Sequence, residues 1–315
     1  MPREDNMIYT VTLNPAIDKT IVIDEYKKGE VNRSLDSRKD VGGKGINVSK
    51  VLNTFGIDNV CTGILGHINS KFFLNYLEEL NIKTNFYIIS GENRTNIKII
   101  EKKYGTITDI NDKGFRVKEG NIEEFLKCFL TLVKEGDLVV LSGSLPEGID
   151  DHIYGCMIEM LKEKAVRVIL DADGKSLLKG IEAIPYAIKP NIYELNKIVD
   201  VDEENINSIF KGGRYLINKG IEKVLISLGS EGAVYITKEN AYASRGIKVP
   251  IKSTVGAGDA MVAGFIYAIE NNLTDCEVLK LAVACGTAKV MTEGTKIPEI
   301  DIIREISKDI EVESL

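Results

Sequence analysis

The strongest constraint on this chain is a rhythm that sets in near residue 137, where short apolar runs alternate with helical stretches. DLVVLSGS (137–144), VRVILDAD (166–173), YAIKPN (186–191) and KVLISLG (223–229) are apolar runs too short for helices. Each reaches a cluster of Gly, Ser, Asp, Asn or Pro, the pattern of a buried strand. One helical stretch ends at Lys164 and another runs through Asn218-Lys219-Gly220. Strands alternating with helices make βαβ units, and their parallel sheet must be covered on both faces. Long helices begin at Gly258 and near Asp275, and no strand pattern is read after them.

The first third follows a different pattern. MIYTVTLN (7–14) alternates as a strand does, whereas KTIVIDEY (19–26) and SLDSRKDV (34–41) are shorter and more polar. TNIKIIEKKYGTITDI (95–110) reads as two strands turning at Tyr104-Gly105. The expected organisation is one domain over residues 7–315, with a small β-lid built from segments near 19–41 and 95–110. Residues 1–6, polar and ahead of a second methionine at Met7, are expected to be a disordered extension or an alternative start.

Composition narrows the function. Forty basic against 47 acidic residues leave a net charge of −7, so no chain-wide basic field invites nucleic acid. No apolar run approaches the roughly 18 residues of a membrane span, and no signal peptide is read. Neither nucleic acid nor membrane is an expected partner. Five cysteines lack C-x-x-C spacing and fit free thiols in a reducing cytoplasm. With only His67 and His152 available, zinc–thiolate chemistry and a Ser-His-Asp triad are both disfavoured.

In open parallel sheets, ligands bind beyond the carboxyl ends of the strands. Here those ends carry Asn14-Pro15, Ser142-Gly143-Ser144, Asp171-Ala172-Asp173, Lys189-Pro190-Asn191 and Ser227-Leu228-Gly229-Ser230. Any one could be an ordinary turn; five along one edge suggest a site. The two common nucleotide fingerprints fail. No G-x-x-x-x-G-K-[ST] is present, and Met261 stands where the third glycine of G-x-G-x-x-G belongs.

Gly256-Ala257-Gly258 can nonetheless hold an anion, because the first N–H groups of a helix are unpaired and carry about half a positive charge. Asp259 beside it is either a stabiliser of the helix start or a base for an attacking hydroxyl. Gly42-Gly43-Lys44-Gly45-Ile46-Asn47 is a second glycine-rich turn entering a helix. Lys44 is electrostatically misplaced there unless a ligand anion lies close; a solvated lysine is the alternative. Arg94 is a phosphate fork only in company. Asn191 and Glu194, three apart, suit either a water-rich Mg²⁺ site or a helix-capping box.

Gly42–Val48, Lys189-Pro190-Asn191 with Glu194, Ser227–Gly232 and Thr254-Val255-Gly256-Ala257-Gly258-Asp259 occur in the order typical of one family. The chain resembles the PfkB (ribokinase-like) carbohydrate kinases from Met7 onward. TLNPAID (12–18), GGKGIN (42–47), NRTNIKI (93–99), TDIN (108–111) and SGSLP (142–146) resemble its phosphosugar branch. The resemblance implies a three-layer α/β/α domain with a mostly parallel central sheet and a β-sheet lid that often forms a homodimer. It implies ATP as co-substrate with Mg²⁺, Asp259 as base and the 256–258 backbone as anion hole. Asp18, Gly42, Gly43 and Asn47 would hold the sugar, and Lys44 and Arg94 its phosphate. Asn191 and Glu194 would organise Mg²⁺ and phosphates, while Lys189, Ser227, Leu228, Gly229, Ser230, Glu231 and Gly232 would bind the nucleotide, with adenine nearer Ala284 to Thr287.

The implied reaction is phosphorylation of the 6-hydroxyl of β-D-fructose 1-phosphate. Tagatose 6-phosphate or another phosphosugar is the alternative substrate, and a non-catalytic sugar-phosphate sensor the alternative class. Two departures stand out: His67-Ile68 where a second glycine is usual, and Ala260 where a serine is common.

Overall fold

β1 (Ile8–Thr12) is buried at all five positions, as a strand covered on both faces must be. The structure, a computed structural model, describes residues 6–315. The extension expected over residues 1–6 lies outside the described residues except for Asn6. After β1 the chain leaves the core as β2 (Ala16–Ile23) and β3 (Asp36–Gly42), then returns through α1 (Lys44–Thr54) and β4 (Asn59–Gly66). α2 (Ser70–Glu79) and β5 (Lys83–Ile89) follow, and the chain departs again as β6 (Arg94–Glu101) and β7 (Thr106–Ile110).

The regular half runs α3 (Glu119–Leu132), β8 (Leu138–Ser142), α4 (Ile153–Glu163), β9 (Arg167–Asp171), α5 (Gly174–Glu182) and β10 (Ala187–Ile188). Next come α6 (Ile192–Ile198), α7 (Ile206–Asn218), β11 (Lys223–Ser227), β12 (Ala233–Ile236) and β13 (Ala241–Ser244). α8 (Ala257–Glu270), α9 (Asp275–Val290), α10 (Ile300–Asp309) and β14 (Val312–Ser314) complete the chain.

One ten-stranded sheet has the order β14-β13-β12-β11-β10-β9-β8-β1-β4-β5. From β5 to β11 the strands are parallel; β12, β13 and β14 add an antiparallel edge. Side chains alternate between its faces. Val139, Leu141, Val168 and Leu170 pack with Phe125, Phe129, Tyr154 and Leu216, whereas Leu138, Val140 and Ile169 pack with Val48, Phe265 and Leu279. The result is the expected three-layer α/β/α arrangement with a mostly parallel sheet.

A separate four-stranded sheet, β3-β2-β6-β7, stands beside it. β2 leaves β1 after Asn14-Pro15, so this sheet is tied to the carboxyl edge of the large one. Ile17 and Val41 pack with Ile46 of α1 and Phe73 of α2, anchoring the lid at its base.

The expectation of no strand after α9 is corrected by β14. Three residues show no period, and β14 is specified by backbone pairing of Val312, Glu313 and Ser314 with β13. β5 was also illegible, because six of its seven positions are exposed or half-buried.

Candidate active site

The chain moves from β1 to β4 on one side and later to β8 on the other, so the strand order reverses at β1. Ligand crevices form at such a reversal, outside the carboxyl ends. All five polar strand ends meet there. Asn14 Nδ2 lies 3.5 Å from Ser144 Oγ, the Gly143 N–H donates to the Asp171 carbonyl at 3.1 Å, and Asn191 pairs with Ser227. A cleft of ≈ 540 Å³ opens above them, roofed by the lid.

On its floor α8 starts at Gly256, whose φ of 77° is left-handed, a conformation glycine adopts without strain. Asp259 is buried in the first turn, and its Oδ2 accepts a 2.8 Å hydrogen bond from Asn47 Nδ2. Asn47 therefore orients the carboxylate from α1, 212 residues away in sequence. Its Oδ1 is buried without a partner, leaving an acceptor for a ligand hydroxyl. Burial, then the charge of Asp171, pushes the Asp259 carboxyl above its usual value, with Lys44, Asn47 and Lys189 opposing. A carboxylate raised in this way is a better base than an exposed aspartate.

Asp171 at the end of β9, one of the polar strand ends read from the sequence but given no role there, lies at the centre of the site. Its Oδ1 lies 3.3 Å from both Lys44 Nζ and Lys189 Nζ. Burial works against its charge, but Lys189 and Lys44 win and hold its carboxyl below the usual range. Lys44 in turn is lowered by burial and raised more by Asp171, Asp259 and Glu194, so it stays protonated.

Beneath the lid, Asp18 Oδ1 accepts from Asn96 Nδ2 at 3.0 Å. Burial raises the Asp18 carboxyl, against Asn96, Lys50 and Arg94. Arg94 makes no ion pair among the described residues; its Nε donates to Asn14 O at 3.3 Å and its Nη2 to Ser144 Oγ at 3.4 Å. The Lys44 stem passes 3.7 Å from where a Cβ on Gly143 would stand. Lys44 and Arg94 thus flank the 143–144 turn, and the Ser144 hydroxyl lies beside the guanidinium.

Beside the His67-Ile68 departure the backbone is held by amides. Asn93 exchanges hydrogen bonds with Gly66 at 3.0 Å each way, and Asn69 Nδ2 donates to the Asn93 carbonyl at 3.0 Å. This clamp fixes the start of β6 and hence Arg94. The other departure, Ala260, is fully buried in the core and packs there.

Gly43, Lys189, Ser227 and Gly258 also line the cleft. Gly42 does not; it supports the site, because a Cβ there would overlap the Asp18 carboxylate. Asn191 and Glu194 form a full capping box: each side chain accepts from the other's backbone N–H at 2.8 Å. Both face the cleft, and buried Asp171 Oδ2 nearby has no partner. The free Asp171 Oδ2 and the second carboxylate oxygen of Glu194 fit a hydrated Mg²⁺.

Of the 227–232 segment only Ser227 lines the cleft; Leu228–Gly232 form a short turn after β11, with Gly232 buried against Ser244. Ala284 is corrected: it is 0 % exposed, inside the core beside Phe265, and cannot touch a nucleotide. Thr287, one turn on, is the half-exposed position of that stretch of α9.

Residues 11–302 match the family described as pfkB family carbohydrate kinase. Over 306 residues the chain is 35% identical to the 1-phosphofructokinase of Bacillus subtilis (strain 168), covering 95% of this chain and 100% of that one. Over 309 residues it is 36% identical to the tagatose-6-phosphate kinase of Staphylococcus epidermidis (strain ATCC 35984), covering 97% and 99%. Phosphofructokinase-2 from Escherichia coli, solved in complex with potassium, shares the fold with a TM-score of 0.91, at 24% identity over 97% of this chain and 99% of that one.

Proposed function

The chain belongs to the pfkB family of carbohydrate kinases, and on that premise we propose that it transfers the γ-phosphoryl of MgATP to the 6-hydroxyl of β-D-fructose 1-phosphate. The observation that carries this reading is the pairing of Asp259, buried and oriented by Asn47, with the start of α8 on the floor of a cleft that also holds Arg94.

Asp18, Gly43 and the free acceptor of Asn47 bind sugar hydroxyls, while Arg94, Lys44 and Ser144 hold the existing phosphate. Asp259 takes the proton from the 6-hydroxyl as its oxygen bonds to the γ-phosphorus. The bond from that phosphorus to the β–γ bridging oxygen breaks, and ADP leaves with the electron pair. The backbone N–H groups of the 256–258 helix start receive the charge on the migrating phosphoryl, chiefly those of Gly256 and Gly258, since the Ala257 N–H donates to the Thr254 carbonyl at 3.3 Å. Asn191 and Glu194 would hold Mg²⁺ through water, where the ion neutralises phosphate charge. Lys189 faces the same phosphates, and the 227–232 turn borders the nucleotide.

Tagatose 6-phosphate is the second reading, favoured by the 36% identity to a kinase named for that sugar. The two substrates differ in which end carries the phosphate, which Lys44 and Arg94 do not discriminate. Coupled ADP release with fructose 1-phosphate, tagatose 6-phosphate, fructose 6-phosphate and fructose decides between them. The highest kcat/KM is expected with fructose 1-phosphate; no ADP with any sugar would sink the kinase reading in favour of a sensor. The reading also includes a homodimer through the lid, whose outer strand β7 is exposed at all five positions. Light scattering showing only monomer would remove that part.

A further inference from the structure

Two buried lysines converge behind the anion hole, and the phosphoryl-transfer scheme uses neither. Lys289, near the end of α9, is 3 % exposed; its Nζ donates to the Gly294 carbonyl at 2.7 Å and to Thr292 Oγ1 at 3.0 Å. Its Cε lies 3.3 Å from where a Cβ on Gly256 would stand, so the lysine stem packs against the backbone at the start of α8. Lys50 of α1, 1 % exposed, donates to the carbonyls of Val41 at 3.0 Å and Thr295 at 3.4 Å. The 292–295 turn is therefore held by two internal ammonium groups, and Gly294 and Thr295 line the cleft alongside Gly256. The approach to the anion hole is seated on the same helix end: the N–H groups of Lys252 and Ser253 both donate to the Val290 carbonyl, at 2.8 and 3.2 Å.

We propose that Lys289 is a positioning residue for phosphoryl transfer, a built-in cation that fixes the 292–295 turn and the backbone of Gly256 and adds its field to the anion hole. The inference rests on the reading of 256–258 as that anion hole. A buried unit charge is a larger source of potential than the half charge of a helix start, and the dry surroundings strengthen it. The geometry places it behind the Gly256 backbone, so it acts through the hole and not as a ligand of the phosphoryl. Its charge is contested: burial pushes the ammonium down to about 8, against the attraction of Asp259 and Asp40, and Arg38 opposes it further. Lys50 is the like charge facing it from α1. Glu293, on the turn itself, is ion-paired to Arg38 at 3.3 Å.

The test compares wild type with Lys289→Met, Lys289→Ala and Lys289→Arg. Removing one direct oxyanion donor costs roughly 10²–10³ in kcat, so a group acting at one remove is expected to cost roughly 10- to 100-fold in Lys289→Met, with KM values little changed. Added methylammonium should restore part of kcat in Lys289→Ala, whereas choline chloride at equal ionic strength should not. In wild type kcat should fall as pH rises through about 8, and Lys289→Arg should move that fall upward. Full kcat in Lys289→Met overturns the proposal, as does a deficit in Lys289→Ala that methylammonium leaves untouched. An alkaline fall that Lys289→Arg leaves in place does so too.

A wild type inactive on all four sugars would be a failure of the kinase reading instead. Amide hydrogen exchange over residues 252–258 then decides the positioning claim on its own. Faster exchange confined to that segment in Lys289→Met supports it, and unchanged exchange overturns it.

Discussion

Asp171→Asn tests whether the knot behind the Asp259 carboxylate is electrostatic. The substitution keeps the shape and one acceptor but removes the charge that Lys44 and Lys189 share at 3.3 Å. The two lysines fare differently. Lys44 has a side chain 31% exposed and can turn its ammonium to water, whereas Lys189 is 5% exposed and cannot. Breaking a buried pair typically costs about 3–5 kcal/mol, most of it from the charge left behind. With one lysine stranded and one hydrogen bond retained, about 3 kcal/mol is expected, read by equilibrium urea unfolding. The same change removes a negative neighbour that raises Asp259. The acid limb of kcat/KM should therefore move to lower pH, since that limb reports the free enzyme's base. A loss under about 1 kcal/mol would show that Lys189 finds solvent, as exposed pairs do. An unmoved acid limb would refute the coupling of Asp171 to Asp259.

Other expectations follow from the same geometry. Asp259→Asn should lower kcat by roughly 10²–10⁴ with ATP affinity nearly intact, the scale of a lost general base; near-wild-type turnover would take the base role away. Lys44→Ala should weaken phosphosugar binding far more than ATP binding by calorimetry, and equal weakening would refute its place at the sugar phosphate. Gly42→Ala should raise KM for the sugar, since the new methyl overlaps Asp18; an unchanged KM would mean the carboxylate moves without consequence. Lys50, pushed down to about 8 by burial, gives a pH signature. Between about 8 and about 10.4 the unfolded chain holds a proton that the native state has lost. Over that window, stability relative to Lys50→Met should rise with pH, by at most about 1.4 kcal/mol per unit. A flat difference in denaturation midpoint would show that Lys50 keeps its proton.

The residues differ in how visible they were beforehand, and the reasons are physical. Gly256-Ala257-Gly258-Asp259 stood out because a glycine-rich helix start and a carboxylate lie within four consecutive residues, although the stretch alone left the role of Asp259 open. Arg94 and Lys44 were legible as cations in unusual places, but the Ser144 hydroxyl between them was not, since serine after a strand is an ordinary turn residue. Asn191 and Glu194 were open between capping and metal; the structure makes the capping box explicit and leaves their place in the cleft as the ground for the other role. Asn47 was assigned to sugar, yet it also orients Asp259, a pairing across 212 residues. Lys289 drew no reading from the sequence, because a lysine in the last turn of a helix is an ordinary placement for a cation.

By itself, then, the sequence determined the layered α/β architecture, because strand burial and helix amphipathicity are local periodicities written in the alternating runs that begin at residue 137, though not in the short edge strand β14. Its motifs, taken together and in order, also carried the family resemblance, whereas the glycine-rich helix start and Asp259 alone left helix stabiliser and base both open. Only the tertiary structure decided which side chains share a charge. Asp171 and Lys189 come from two strand ends and Lys44 from the start of α1, while Lys50 and Lys289 lie on two helices; their energies depend on distance and burial, neither of which is a property of any short stretch of chain. Ala284 shows the converse, a position that looked available along the helix and is sealed by packing that no local pattern announces.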